Sequence, residues 1–257
     1  MTGLLRVQEV TKSFGGVRAL RSLSLGVGEG EVVGLVGPNG AGKTTLINVI
    51  TGYTRADEGS VVLDDRDITR VRAHLLASLG LARTFQTLQL FENTSVLDNV
   101  LVGRHLSFAA RRPSMWFRRG NASGQRELAH KLLALLDLAG LADQNVSDLP
   151  YGVRRRVEIA RALAVEPRTL LLDEPTAGMS TEESDAVGEL ISQVAGRGTG
   201  VLLVDHNPAL IADTCSRVGV LVEGSVMAMG EPAEVFAMPE VRSAYLGSEV
   251  EVSHRAT

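Results

Sequence analysis

The chain has 257 residues, which is enough to bury one full core or a core with an inserted subdomain. Its 26 Lys and Arg residues and 30 Asp and Glu residues give a net charge of −4, so no overall basic field attracts nucleic acid. Hydrophobic residues make up 44%, but no apolar run approaches the roughly 20 residues that a membrane-spanning helix needs. These properties predict a globular chain that does not cross a bilayer by itself.

Two smaller features concern the compartment. Cys215 is the only cysteine and cannot form an internal disulfide, so we expect a small core residue in a reducing compartment. The first residues, Met1 to Arg6, lack the charged segment and long apolar core of a secretory signal. We therefore expect that the chain is not secreted.

The first ninety residues have strand patterns and one short helix pattern. Alternation of apolar and polar residues over 4–11 and 17–27, joined by a glycine turn at 13–16, predicts an antiparallel pair. A helix pattern lies at 46–50. Further strands are predicted at 32–36, 59–63 and 81–85.

The middle of the chain is helical and the last third alternates between strands and helices. Between 95 and 164 a stripe of leucines lies in a window with few β-branched residues, which predicts a helical insert. The alternation that follows predicts parallel strands with crossover helices. Strands are predicted at 169–172 and 200–204, helices at 181–194 and 208–213, a hairpin at 218–222 and 225–229, and a helical tail at 232–246.

A glycine-rich loop between the strand at 32–36 and the following helix predicts phosphate binding. Glycines let successive N–H groups point inward, and the helix offers its positive end to the same anion. We expect Lys43 to reach the β- and γ-phosphates, Thr44 to hold Mg²⁺ through its hydroxyl, and Thr45 to add a phosphate hydrogen bond. The flanking strand and helix favour this interpretation over a chance glycine turn. The loop consists of Gly37, Pro38, Asn39, Gly40, Ala41, Gly42, Lys43, Thr44 and Thr45.

A second apolar strand ends in two acids, Asp173 and Glu174. Asp173 is placed to hold the Mg²⁺ shell. Glu174 is the natural general base, because a carboxylate beside the γ-phosphate polarises an attacking water. This arrangement favours hydrolysis over transfer to a second substrate. Alone, such a pair is equally consistent with a solvated turn.

The segment from Leu149 to Val153, directly before a helix pattern at 154–163, resembles the signature segment of ABC ATPases. The phosphate loop, Gln86, the block at 173–176 and His206 extend the match over nearly the whole chain in the right order. The resemblance implies an α/β fold, with a RecA-like P-loop ATPase core, an antiparallel β-subdomain and an inserted α-helical subdomain. It also implies a dimer that holds ATP between the phosphate loop of one subunit and the signature of the other.

The resemblance further implies one ABC ATPase domain over 1–257. The RecA-like core with its β-subdomain takes 1–88 and 164–230, and the helical subdomain with the signature takes 89–163. A C-terminal helical tail takes 231–257.

The resemblance also implies the roles of individual residues. Phe14 matches the aromatic residue on which adenine stacks, Gln86 the sensor of Mg²⁺ and the attacking water, and His206 the switch histidine at the γ-phosphate. Gly178 to Ser180 match the loop that crosses the dimer interface but lack its usual acid. The implied catalytic residues are Lys43, Gln86, Glu174 and His206; the ATP contacts are Phe14, the loop 37–45, Tyr151 and Gly152; the Mg²⁺ contacts are Thr44, Gln86 and Asp173.

Local segments at 82–86, 158–163, 177–179 and 244–247 look like the ATPases of branched-chain amino-acid importers. That resemblance implies membrane permease subunits, a second ATPase subunit that is the same or a sister chain, and indirect work with an extracytoplasmic solute-binding protein. It also implies a peripheral position on the cytoplasmic face of the cell membrane, with no nucleic acid as partner. The ATPase does not touch the solute, so its residues do not name it.

Two other functions share much of this pattern. One is the ATPase of a lipid or lipopolysaccharide exporter, and the other is a soluble ABC ATPase that acts on ribosomes or DNA. The second class usually carries two cassettes or a long coiled-coil insert, which this chain lacks. A non-catalytic regulatory subunit is disfavoured because Lys43, Asp173, Glu174 and His206 are intact.

Two segments leave alternatives open. The usual signature reads Leu-Ser-Gly-Gly-Gln, but Pro150 has neither a hydroxyl nor an N–H, so only the Gly152 amide and a helix that begins near Val153 remain as donors. Either these suffice, or the signature binds nucleotide weakly. Separately, the cations and tryptophan at 111–119 suit an anionic lipid surface or a permease face, or form a solvated loop.

Overall fold

The structure, a computed structural model, describes residues 4–109 and 122–244, without the side chains at 105–109 and 122–123. The basic segment at 111–119 and the end of the predicted tail lie outside the described residues.

The smaller of two sheets is antiparallel and begins at the start of the described chain. Its strands are β1 (Leu5–Phe14), β2 (Val17–Val27), β4 (Glu58–Leu63) and β5 (Arg66–Asp67), in the order β2-β1-β4-β5. Leu5 pairs with Val27 on one side and with Leu63 on the other. The predicted antiparallel pair is therefore present, and strand β1 runs to Phe14, so the turn is confined to Gly15 and Gly16.

The larger sheet has six strands in the order β10-β9-β3-β8-β7-β6, and only β10 is antiparallel to its neighbour. Strands β3, β7 and β8 are buried at every residue, as expected of central parallel strands. Their carboxyl ends lie at one edge, where ligands of open α/β sheets bind. The strands are β3 (Val32–Val36), β6 (Leu81–Arg83), β7 (Thr169–Asp173), β8 (Gly200–Val204), β9 (Arg217–Val222) and β10 (Ser225–Gly230).

Besides a helix at 239–244, eight α-helices of the described residues carry the connections, the insert and the tail. They are α1 (Lys43–Ile50), α2 (Ala73–Leu76), α3 (Val96–Ala109), α4 (Ala122–Leu135), α5 (Tyr151–Leu163), α6 (Thr181–Ala195), α7 (Pro208–Thr214) and α8 (Pro232–Ala237). None of them is long and apolar enough to span a membrane.

The larger sheet separates two apolar clusters. Val33 and Leu35 pack with helix α1 and the antiparallel sheet, whereas Val32 and Val36 pack with the helical elements on the other face. This division follows from the alternation of side chains along a strand. The cluster with Val32 extends into the insert, where helix α5 contacts α3 and α4. The insert is thereby joined to the core through helix α5.

Several predicted boundaries differ from the structure. Strand β6 ends at Arg83, two residues before the end predicted at 85. Helix α1 begins at Lys43, three residues earlier than its apolar pattern, because the phosphate loop leads directly into it. Helix α5 begins at Tyr151 rather than near Val153, since the extended Pro150 is its N-cap residue. The tail is not one helix: Met238 is extended before Pro239, as a residue preceding proline favours, and helix resumes at 239–244.

Candidate functional site

The phosphate loop lies between strand β3 and helix α1. Gly42 is the N-cap of α1 with a φ of 109°, and a Cβ there would lie 2.5 Å from the carbonyl oxygen of Ala19. Only glycine fits this backbone and this close approach. The tight turn places the first N–H groups of α1, which have no acceptor within the helix, around the mouth of the loop.

Lys43 folds back over the loop. Its Nζ donates to the carbonyl oxygen of Gly37 at 2.5 Å and to that of Pro38 at 3.0 Å. Burial lowers the pKa of Lys43, while the negative charges of Glu174 and Asp173 act in the opposite direction. A buried cation satisfied only by carbonyl oxygens, above free N–H groups, is the chemistry that accepts an anion.

Asp173 ends strand β7 and pairs with a cation that sequence reasoning did not single out. Its Oδ2 accepts from Nη2 of Arg83 at 3.2 Å, and both side chains are buried. Arg83 also donates to Asn48 Oδ1 at 2.8 Å and to Thr51 Oγ1 at 3.1 Å. Burial raises the pKa of Asp173, and the Arg83 charge works against that rise. The carboxylate is thus held rigidly beside the phosphate loop.

Glu174 has an unusual backbone and a well-held side chain. Its φ of 50° is left-handed, which costs a non-glycine residue about 1–3 kcal/mol, and its N–H donates to the carbonyl oxygen of Val204 at 2.7 Å. Its Oε2 accepts from Gln86 Nε2 at 3.1 Å, and its Oε1 lies 2.8 Å from His206 Nε2. The structure therefore brings Gln86, Glu174 and His206 together at the carboxyl edge of the sheet.

The remaining predicted residues lie around this centre or away from it. Thr44 is exposed and Thr45 half-buried in the first turn of α1. Phe14 is 51% exposed, with Lys12 Nζ 5.2 Å from its ring centre. Its face is available to a flat ring, although nothing in the sequence marked Lys12 as its neighbour.

The signature segment has its contacts elsewhere. Tyr151 is 39% exposed, and a Cβ on Gly178 would lie 3.9 Å from its ring. A Cβ on Gly152 would lie 2.5 Å from Oε1 of Glu183. Both residues therefore lie against the segment at 178–183.

Metal ligands in the described ranges do not form a site by themselves. No group of three or more His, Cys, Asp and Glu side chains there could hold a metal ion. Asp173, Thr44 and Gln86 supply one carboxylate, one hydroxyl and one amide. Such a sparse oxygen set suits Mg²⁺, which commonly takes its other ligands from waters and substrate phosphates.

A groove with a volume of about 410 Å³ lies between the core and the helical insert. Its walls are mostly apolar and include the exposed Phe91 and Tyr53, together with Arg83. Arg83 lies 4.8 Å from the ring centre of Phe85 and 5.7 Å from that of Tyr53. The groove and the Asp173 carboxylate therefore share one guanidinium group.

Two more positions were missed by sequence reasoning. Arg155 is completely buried and donates to main-chain carbonyl oxygens near Gln86 and Glu174. Asp205 accepts from Thr176 Oγ1 at 2.8 Å, which links the segment after Glu174 to the residue before His206. The only sequence signal for the first was Glu158, three residues after Arg155 in a helix pattern.

Two family models match the chain. The one described as "ABC transporter" matches residues 20–177. The one described as "Branched-chain amino acid ATP-binding cassette transporter" matches residues 225–251.

The similar curated proteins are matched over nearly their whole length. The high-affinity branched-chain amino acid transport ATP-binding protein LivG of Salmonella typhimurium is 36% identical over 253 residues, covering 95% of this chain and 98% of the relative. BraF of Pseudomonas aeruginosa, which has the same description, is 35% identical over 95% of this chain and 98% of its own. The lipopolysaccharide export system ATP-binding protein LptB of Acidithiobacillus ferridurans is 39% identical over 98% of this chain and 100% of its own.

Solved structures agree with the fold. The ADP conformation of an ATP-binding cassette of an ABC transporter has a TM-score of 0.85 and 32% identity, covering 96% of this chain and 100% of that one. A nucleotide-free cassette has a TM-score of 0.84 and 32% identity, covering 95% and 99%. The predicted fold class is confirmed, since the parallel core sheet, the antiparallel sheet and the helical insert all match.

Proposed function

This chain belongs to the ABC transporter family, as an ATP-binding subunit of its branched-chain amino acid branch, and on that premise we propose how its residues carry out ATP hydrolysis for transport. The family predicted from the signature resemblance, and the ATPase activity that goes with it, are confirmed. The observation that carries the proposal is the contact of Glu174 with both Gln86 and His206.

Binding of the ATP phosphates falls to the loop between strand β3 and helix α1. Lys43 exchanges its carbonyl acceptors, Gly37 and Pro38, for phosphate oxygens, because a charged acceptor makes the stronger hydrogen bond. The N–H groups from Gly40 to Thr45 complete the cradle. Phe14 supplies a face for adenine.

Asp173, Thr44 and Gln86 are the residues that would hold Mg²⁺. When bound, the ion neutralises charge on the phosphates. Arg83 keeps the Asp173 carboxylate oriented toward the loop.

Glu174 acts as the general base. Gln86 and His206 each contact one of its two oxygens, which fixes the carboxylate for a water at the γ-phosphate. We expect His206, whose Nε2 lies 2.8 Å from Glu174 Oε1, to contact the γ-phosphate as well. Because the base activates a water, the reaction is hydrolysis rather than transfer to a second substrate.

The signature completes the site from a second subunit. Tyr151 and Gly152 lie at the start of helix α5, against the segment at 178–183. They serve the ATP of a partner cassette, whether a second copy or a sister chain. A similar cassette, 26% identical with a TM-score of 0.76 and covering 89% of this chain and 98% of that one, has been solved as a dimer, which supports this arrangement.

A permease segment docks in the groove between the core and the insert. The groove is apolar, exposes Phe91 and Tyr53, and reaches Arg83, which also holds Asp173. A permease segment in the groove would therefore contact Arg83, which holds Asp173 at the nucleotide site. From this docking we infer a peripheral position on the cytoplasmic face of the cell membrane.

The proposed one-domain organisation follows the same plan. The core with its β-subdomain takes 1–88 and 164–230, the helical subdomain 89–163 and the tail 231–257. It is supported by strand β6, which ends at Arg83, and helix α5, which ends at Leu163.

Import of branched-chain or related amino acids is the favoured transport activity, with a solute-binding protein acting outside the membrane. It is supported by the match at 225–251 and by the LivG and BraF relatives. Lipopolysaccharide export is the second candidate, because the LptB relative is 39% identical. Uptake of labelled leucine by cells with and without the gene separates the two: loss of uptake supports import, and unchanged uptake with an outer-membrane lipid defect supports export.

The test of the base is Glu174→Gln, which keeps the side-chain shape and removes the accepting charge. ATP binding should persist while turnover falls by about 10²–10⁴-fold. Glu189→Gln, at an exposed position on helix α6, is the matched control and should hydrolyse ATP at the unmodified rate. Unchanged turnover in Glu174→Gln, measured with partner subunits present, would show that Glu174 is not the base.

A further inference from the structure

Arg155 is the largest fully buried side chain of the described residues. It lies in the second turn of helix α5, whose start carries the signature. Its Nη1 donates to Oε2 of Glu158 at 2.6 Å, and that carboxylate is also buried. One buried carboxylate neutralises the guanidinium, so the remaining donors are available for another purpose.

The Nη donors go to main-chain carbonyl oxygens near the proposed catalytic carboxylate, whereas the buried Nε has no hydrogen-bond partner among the described residues. Nη2 donates to the carbonyl oxygens of Glu174 at 2.8 Å, Asp173 at 3.1 Å and Gln86 at 3.4 Å. Nη1 donates to the carbonyl oxygen of Phe85. A single planar, permanently charged group thus joins two segments that are far apart in sequence.

The segment that carries Gln86 depends on helix α5 for its position. Pairing of strand β6 with β7 ends at Arg83, and one further bond joins the Thr84 N–H to the carbonyl oxygen of Leu171 at 3.0 Å. Beyond that point, Phe85 donates its N–H to Glu158 Oε1 at 3.4 Å and accepts from Arg155. Helix α5 therefore holds this segment by both its N–H and its carbonyl.

Glu174, in contrast, is fixed to the core sheet. Its N–H donates to the carbonyl oxygen of Val204, in strand β8, and its left-handed backbone is held from the other side by Arg155. The separation of Gln86 Nε2 and Glu174 Oε2, 3.1 Å, then depends on where the insert sits against the core.

We propose that Arg155 is a positioning residue that holds the main chain of Gln86 and Glu174 together and ties both to the helix that carries the signature. The role rests on the proposed function of Glu174 as the base. A shift of helix α5, whether started by a partner cassette at the signature or by a permease in the groove, changes the alignment of Gln86 with Glu174. Hydrolysis is thereby limited to the closed assembly.

The test compares steady-state ATP hydrolysis by purified full-length variants, assayed with partner subunits. Arg155→Lys keeps the charge against Glu158 but loses the planar fork. Arg155→Met combined with Glu158→Gln removes the carbonyl bonds without leaving an unpaired buried charge. Since misplacement by about 1 Å can cost about 10²-fold, kcat should fall about 10-fold in the first and about 10²-fold in the second, with KM for ATP within about 3-fold.

One matched control isolates the carbonyl bonds. Arg156→Lys makes the same exchange at the neighbouring arginine, whose Nη1 donates to the Leu136 carbonyl oxygen at 3.1 Å inside the insert, so kcat should stay within about 3-fold of the unmodified value. Glu158→Gln alone does not serve as a control, because it leaves the buried Arg155 charge without its carboxylate.

A third measurement excludes a merely structural role. In the Glu174→Gln background, Arg155→Lys should lower the residual hydrolysis rate no further, because the base through which it acts is already gone. A further tenfold drop there, or wild-type kcat in both Arg155 variants, would overturn the positioning role. An active Glu174→Gln protein would instead refute the base itself, so the two failures are distinguishable.

Discussion

Replacing Pro150 by serine and, in parallel, by alanine separates two contributions of the signature to helix α5. Pro150 is the N-cap, with φ −55° and ψ 155°, and no side chain caps the helix. A serine with this backbone can accept from the N–H of Val153, and such a cap contributes about 1 kcal/mol. Loss of proline raises the conformational entropy of the unfolded chain, which lowers the free energy of unfolding by about 0.4–1 kcal/mol. The serine variant should therefore match the unmodified stability, and the alanine variant should fall about 1 kcal/mol below it.

Thermal unfolding without nucleotide measures this difference. For a chain of this size, about 1 kcal/mol corresponds to a Tm that is about 2–4 °C higher for Pro150→Ser than for Pro150→Ala. Equal Tm values for the two variants would show that no cap forms at Pro150.

The same two variants test the strength of the signature as a phosphate ligand. In the Glu174→Gln background, the ATP concentration that gives half-maximal dimer is measured by light scattering after size-exclusion chromatography. One regained donor to an ionised phosphate contributes about 1.5–3 kcal/mol, so Pro150→Ser should lower that concentration by about 10-fold or more. Alanine returns only the N–H and should lie between. An unchanged midpoint for serine would show that Gly152 and the helix terminus already suffice.

Two further outcomes are expected. In a Cys215→Ser background, cysteines are introduced at exposed positions of the segment 87–99, such as Gln89. They should crosslink to a cytoplasmic permease loop with a yield that changes with ATP. Crosslinking confined to the antiparallel sheet would contradict docking in the groove. Burial raises the pKa of Cys215 to about 12, so its thiolate fraction at pH 8 is about 10³-fold below that of a free cysteine. Iodoacetamide should therefore label Cys215 only after unfolding. Rapid labelling of the native chain would contradict this burial.

The residues that local chemistry selects were predictable from sequence. Gly42 and Lys43 stand in a loop whose flanking strand and helix have clear patterns, and Asp173 and Glu174 follow a wholly apolar run. Parallel strands with fully buried faces place their carboxyl ends together, so the order of motifs already located the site.

What sequence reasoning missed depends on contacts between distant segments. Arg155 and Arg83 look like surface cations in their local patterns, yet each is buried against main-chain oxygens or a carboxylate from another strand. The end of helix α8 at Met238 could have been predicted, because Pro239 follows it. The apolar pattern of the tail instead favoured one continuous helix.

Lys43 and Asp173 carry charges whose burial opposes folding at the proposed ATP site. Burial lowers the pKa of Lys43, so the penalty on its charge is present below that pKa and fades as pH rises toward the ordinary value of 10.5. Burial raises the pKa of Asp173, so its penalty is present above that pKa and fades as pH falls toward 3.8. Between the pKa of Asp173 and that of Lys43 both penalties act together. Phosphate oxygens beside Lys43 and a cation beside Asp173 favour those same charged forms. Binding of phosphate and cation therefore offsets both penalties, and ATP with Mg²⁺ should raise the free energy of unfolding.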